Sequence, residues 1–237
     1  MRVGASEASA GPRYGERMRE EAQRIDDRLE GTLRVPDLEP TAIVVIAHPL
    51  PTHGGTMRNP LVVAVARACA SRGWYALRFN FRGVGNSAGE WTGGQQEPHD
   101  VAAAVEHARR LAPHLPIGLV GYSFGALMAL RWIADGGRPT AYALVGLPLR
   151  SASLAPQDLP PIPAGSFVVA AEHDQFGTAA ELRRALVDAS VAEVRGVDHF
   201  FVGKRDEVAR LVTDHLATEL GRSTDEAASS SPTIERT

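Results

Sequence analysis

A serine flanked by two glycines, in the stretch Leu119-Val120-Gly121-Tyr122-Ser123-Phe124-Gly125-Ala126-Leu127, constrains this chain more than any other feature. Upstream, Pro116-Ile117-Gly118-Leu119-Val120 is short and apolar, as a buried parallel strand is; downstream, Ala126-Leu127-Met128-Ala129-Leu130-Arg131-Trp132-Ile133 reads as a helix. A strand must therefore turn abruptly into a helix at Ser123. Glycines two before and two after the serine leave out side chains that would collide at such a bend, and they push Ser123 out on its tip. Its hydroxyl then faces a helix N-terminus, where the Phe124 amide is free to donate to an oxyanion forming on a substrate. The plainer alternative is that Ser123 only caps the helix.

At 237 residues, with 44% hydrophobic and 22% charged side chains, the chain is long enough for one substantial soluble core. A formal charge of −3 and the absence of a dense Lys/Arg block favour neither nucleic acid nor an anionic membrane surface as a partner. Cys69, the single cysteine, cannot form an internal disulfide and is read as a small buried side chain, which fits a reducing cytoplasm. Residues 4–9 lack the apolar core of a signal peptide, and no later segment approaches a membrane span.

Three segments follow from composition: residues 1–28 as a flexible or weakly helical N-terminal piece, 29–220 as the folded domain, and 221–237 as a disordered tail. The weak helix is expected over 16–30, where Ile25 and Leu29 lie four apart, and 29–35 reads as an edge strand stopped by Pro36. Strands are further expected at 41–47, 74–81, 116–120, 141–147, 166–171 and 192–197. Helices are expected at 61–71, 99–111, 126–133, 178–189 and 205–220. This alternation is that of an α/β protein with an open, mostly parallel sheet covered by helices on both faces, whose ligands belong at the carboxyl ends of the strands. Residues 148–165 hold five prolines and no periodic apolar pattern, so no cap domain is expected there.

A serine hydroxyl needs a base in contact with it and a carboxylate to orient that base. Asp174 and His199 each fall just past a predicted strand, on the rim where the Ser123 bend emerges. Asp198 neighbours His199 but reads as a surface or turn-capping residue, and Glu172 lies nearer its strand. His99, His107, His114, His173 and His215 lack a partner pattern and read as surface residues. His48 and His53 sit in the loop after the 41–47 strand, where they either hold the loop's shape or touch substrate; as metal ligands they lack a third neighbour. Gly83-Val84-Gly85-Asn86-Ser87-Ala88 matches a dinucleotide pattern, yet no helix opens after it. It reads instead as a tight turn anchored by Arg82.

Taken with His48-Pro49-Leu50-Pro51, Gly54-Gly55-Thr56-Met57-Arg58-Asn59, Leu77-Arg78-Phe79-Asn80-Phe81-Arg82-Gly83-Val84-Gly85-Asn86-Ser87 and Val197-Asp198-His199-Phe200-Phe201, the elbow makes residues 42–220 resemble an α/β-hydrolase. Within that superfamily the chain is similar to small cap-less bacterial hydrolases related to dienelactone hydrolase. The resemblance implies Ser123 as nucleophile, His199 as base, Asp174 as its acid, and the backbone amides of Leu50 and Phe124 as the oxyanion hole. The expected activity is cleavage of a small to medium carboxylic ester or thioester through an acyl-enzyme, with no metal or organic cofactor; His48, His53 and Tyr122 are the residues expected at the substrate site. Acyl transfer by the same triad and a non-catalytic binding protein are the alternatives. Dienelactone hydrolases carry cysteine where this chain has Ser123, so dienelactone is not the expected substrate.

Overall fold

The structure, a computed structural model, describes residues 19–151 and 159–229, with backbone alone over 223–229. The strands are β1 (Glu20–Ile25), β2 (Leu29–Arg34), β3 (Ala42–Ala47), β4 (Trp74–Phe79), β5 (Ile117–Tyr122), β6 (Ala141–Val145), β7 (Phe167–Ala171) and β8 (Ser190–Val194). The helices are α1 (Pro60–Ser71), α2 (Glu97–Leu111), α3 (Phe124–Ala134), α4 (Ala179–Ala185) and α5 (Arg205–Ser229). All eight strands join one sheet in the order β1-β2-β4-β3-β5-β6-β7-β8, parallel from β4 onward, with β1 and β2 antiparallel at one end.

The β-branched run of β3 sits at the centre because both its faces are apolar. Ile43, Val45 and Ala47 pack toward α2, α3 and α4, whereas Ala42, Val44 and Ile46 pack toward α1 and α5. Every residue of β3 is buried, and removing its four β-branched side chains from water contributes roughly 1.5–3 kcal/mol each. Cys69 belongs to the α1 side of this core, and burial pushes its thiol up to about 12, which leaves it unreactive.

Residues 1–18, expected to be flexible or weakly helical, lie outside the described residues. Over residues 19–30, the described part of the weak helix expected at 16–30, the chain forms a β-hairpin instead. Ile25 and Leu29 are paired across it, and Asp26 and Asp27 in its turn both have φ of +50°. A four-residue apolar spacing fits one helical turn as well as it fits a short hairpin closure. The two aspartates, which tolerate positive φ, decide for the hairpin. The hairpin also makes β2 an interior strand, not an edge, since β1 covers its outer side. At the other end α5 continues to Ser229, so residues 221–229 are helical where a disordered tail was expected. Strand β8 runs over Ser190–Val194, shifted toward the N-terminus of the predicted 192–197 span: the chain turns at Gly196, at φ +72°, and the His173 amide then takes the Val197 carbonyl.

Among the described residues no helix intervenes between β6 and β7; residues 152–158 of that connection lie outside them. Its beginning packs down: the amides of Leu149 and Arg150 donate to the Phe176 carbonyl at 2.9 and 3.1 Å, and Arg150 pairs with Glu181 at 3.0 Å. No helix is long and apolar enough to cross a membrane among the described residues.

Candidate active site

Ser123 stands between β5 and α3 with φ +55° and ψ −114°, a conformation that costs on the order of 1–3 kcal/mol for an L-residue and persists only when its surroundings enforce it. The flanking glycines show how. A Cβ on Gly121 would lie 2.4 Å from the Gly125 carbonyl oxygen, and one on Gly125 would lie 2.4 Å from the Ala47 carbonyl oxygen. The Ser123 side chain makes no capping hydrogen bond, which removes the plainer reading of it as a helix cap. The first helix amides to donate, those of Ala126 and Leu127, both reach the Ser123 carbonyl. The Phe124 amide lies ahead of them at the helix start, where an anion is favoured.

Three strand ends converge here. His199 Nε2 is 2.7 Å from Ser123 Oγ, and His199 Nδ1 is 2.7 Å from Asp174 Oδ2. Asp174 and His199 are buried at 2% and 4% exposure, while Ser123 is partly open to solvent. The second Asp174 oxygen accepts the Phe176 amide at 2.9 Å. Asp198 is exposed and its Oδ1 accepts the Phe200 amide, the turn-capping role expected of it; Glu172 accepts the Gly196 amide and braces the same loop.

Two residues expected to touch substrate are bound elsewhere. The Tyr122 hydroxyl is buried and donates to the His199 carbonyl at 2.9 Å, fixing the histidine loop to the strand that carries the serine. His48 is fully buried: its Nδ1 donates to the Pro49 carbonyl at 2.7 Å and its Nε2 accepts the Phe81 amide at 3.2 Å. It therefore holds the loop of Leu50 in shape. Its neighbour His53 is exposed on a short 3-10 turn, hydrogen-bonded to Thr52. The Leu50 carbonyl takes the His53 and Gly55 amides and curls that loop, and a Cβ on Gly55 would strike the Pro49 carbonyl oxygen at 2.1 Å. His107 and His215, expected as surface residues, are half-buried and each has a partner. His107 faces Gln23 of β1, and His215 stacks on Phe167 and donates to the Tyr142 carbonyl.

Burial holds the His48 ring down to about 4, against an ordinary 6.5, so it is neutral near pH 7. The unfolded chain then binds this proton at a higher pH than the folded one. Stability present above pH 6.5 is lost as pH falls toward 4, by on the order of a few kcal/mol. Denaturant unfolding at pH 7.5 and 4.5 is expected to show a smaller pH difference for His48→Gln than for the wild type. Equal differences would mean that His48 takes up its proton in the folded protein.

The loop after β4 was legible as an anchored turn, but its full bracing was not. Arg82 grips the buried Asp100 of α2 through Nε at 2.9 Å and a terminal nitrogen at 2.8 Å. Glu97, fully buried, accepts from the Thr92 amide, the Thr92 hydroxyl and the Gly94 amide at 2.6–2.8 Å. Together they lay Trp91 against Phe124, with ring centroids 4.9 Å apart. An acidic residue in the first helical turn was the available signal for such a brace.

This strand order, with a serine on a strained strand-to-helix bend and an acid and a histidine at later strand ends, defines an α/β-hydrolase. The sequence model of the serine aminopeptidase S33 family matches residues 38–222, and the chain belongs to that family. It is 26% identical over 204 residues to the uncharacterized protein RP471 of Rickettsia prowazekii, covering 81% of this chain and 86% of that one. Similar solved structures include an alpha-beta serine hydrolase homologue from Coxiella burnetii, at 26% identity and TM-score 0.71, covering 84% and 97% of the two chains. XC6422 of Xanthomonas campestris, described as a serine hydrolase without lid, is similar at 25% identity and TM-score 0.73, covering 88% and 97%.

Proposed function

We propose that this chain is a serine esterase or thioesterase, with Ser123 as nucleophile, His199 as base and Asp174 as the acid that orients it. The observation that carries the reading is the unbroken line of two 2.7 Å contacts from Asp174 through His199 to the strained, solvent-reachable Ser123. In the first half-reaction His199 Nε2 takes the Ser123 proton while Oγ bonds to the acyl carbon. The amides of Phe124 and Leu50 stabilise the oxyanion. Collapse breaks the bond from carbon to the leaving oxygen or sulfur, which receives the proton from His199 Nε2. Water, deprotonated by the same nitrogen, then releases the acid and restores the serine. Acyl transfer to another acceptor shares the first half of this scheme.

The tight packing of Leu149 and Arg150 on the Asp174 loop, with no intervening helix among the described residues, supports an open cleft and short to medium acyl groups. Each methylene left in water forgoes about 0.8 kcal/mol of binding. For methyl esters of increasing acyl length, kcat/KM is expected to level off early and to show no jump when the substrate forms micelles. A steep rise toward long chains would point to a cover over the cleft. Esters, thioesters and aminoacyl arylamides assayed side by side, with Ser123→Ala as blank, test the reaction class; turnover of the arylamides alone would overturn the ester reading.

A further inference from the structure

We infer that Phe200, with Phe176 beside it, forms the leaving-group side of the cleft and favours substrates whose alcohol or thiol part is bulky and apolar. The inference rests on the serine-hydrolase reading above. The atom that leaves must come within hydrogen-bond reach of His199 Nε2, because that nitrogen returns the proton to it. Two aromatic rings border the same imidazole edge-on: Phe176 at a centroid distance of 4.7 Å and Phe200 at 5.9 Å. On this inference, carbon attached to the leaving atom lies against these rings.

Exposure separates this face from ordinary core. His199 and Phe201 are buried, yet Phe200 and Val202 on the same loop are 56% and 64% exposed. They are two of the five large apolar side chains that stand clearly exposed among the described residues. An apolar ligand seated beside His199 removes that surface from water. The Phe200 ring is also free of structural duty in the loop. The loop is fixed by the Tyr122 hydroxyl on the His199 carbonyl, by the Phe200 backbone amide on Asp198, and by the buried Phe201 at φ +50°. Of the other aromatic contacts, Tyr122 meets His199 tilted from the buried side at 5.7 Å, and Trp91 on Phe124 lies at the oxyanion end.

The test compares methyl, butyl and hexyl acetates, whose alkoxides have similar basicity, on the full chain. In Phe200→Ala the ratio of kcat/KM for hexyl over methyl acetate is expected to fall about tenfold, as when some two methylenes lose their cover. Phe200→Leu should fall between that variant and wild type, and the ratio for methyl hexanoate over methyl acetate should hold. Val187→Ser, at a residue 85% exposed in the link from α4 to β8, should leave all ratios unchanged. An unchanged hexyl-to-methyl ratio in an active Phe200→Ala overturns the inference and leaves the hydrolase reading standing. So does an equal loss on both esters, or an unchanged ratio with loss of sedimentation on phosphatidylcholine vesicles, which would make Phe200 a surface-docking residue. A wild-type protein inactive on every ester, thioester and aminoacyl arylamide overturns the hydrolase reading itself.

Discussion

Ser123→Ala and His199→Ala are each expected to lower kcat roughly a hundred-thousand-fold, with the double variant little worse than either single one. The reason is geometric. With 2.7 Å between Ser123 Oγ and His199 Nε2, neither group has a use in acylation without the other: the hydroxyl needs the base, and the base has no other proton to take there. Steady-state kinetics on one short-chain ester, measured for both singles and the double, read this directly. Losses that multiply would mean that the two side chains act in separate steps.

The second large effect is expected at Asp174. In Asp174→Asn, one oxygen must still accept the Phe176 amide, which fixes how the new side chain sits and turns its NH2 toward His199 Nδ1. The imidazole then accepts at Nδ1 and carries its proton on Nε2, where it cannot take the serine's proton; a loss of about ten-thousand-fold in kcat follows. Asp198→Asn should be mild, because an asparagine oxygen still caps the Phe200 amide. A reversed order of these two sensitivities would move the acid to Asp198.

Legibility in the sequence followed the range over which each feature is determined. The Ser123 bend could be read because Gly121 and Gly125 act within four residues of each other, and clashes at 2.4 Å admit no alternative. Asp174 and His199 could be placed because strand ends in a parallel sheet share one rim. The hairpin of β1 could not be read, since the spacing of Ile25 and Leu29 suits helix and hairpin equally until β4 offers β2 a neighbour. That the polar atoms of His48 and Tyr122 are taken up by backbone partners could not be read either. Their partners, the Phe81 amide and the His199 carbonyl, lie 33 and 77 residues away. Near the site a polar side chain satisfied by distant backbone looks, in sequence alone, like one left free for a ligand. The Glu97 brace had one local signal, an acidic residue in the first turn of α2, but which amides it takes is set by how residues 92–94 fold back onto it.

The central claim, that Ser123 is an activated nucleophile, is tested most directly by treating the protein with a fluorophosphonate probe and locating the adduct by peptide mass spectrometry. The predicted result is a single adduct on the peptide holding Tyr122-Ser123-Phe124, absent in Ser123→Ala and greatly slowed in His199→Ala. No adduct at Ser123 at any pH between about 6 and 9, or undiminished labelling of Ser123→Ala, would contradict it.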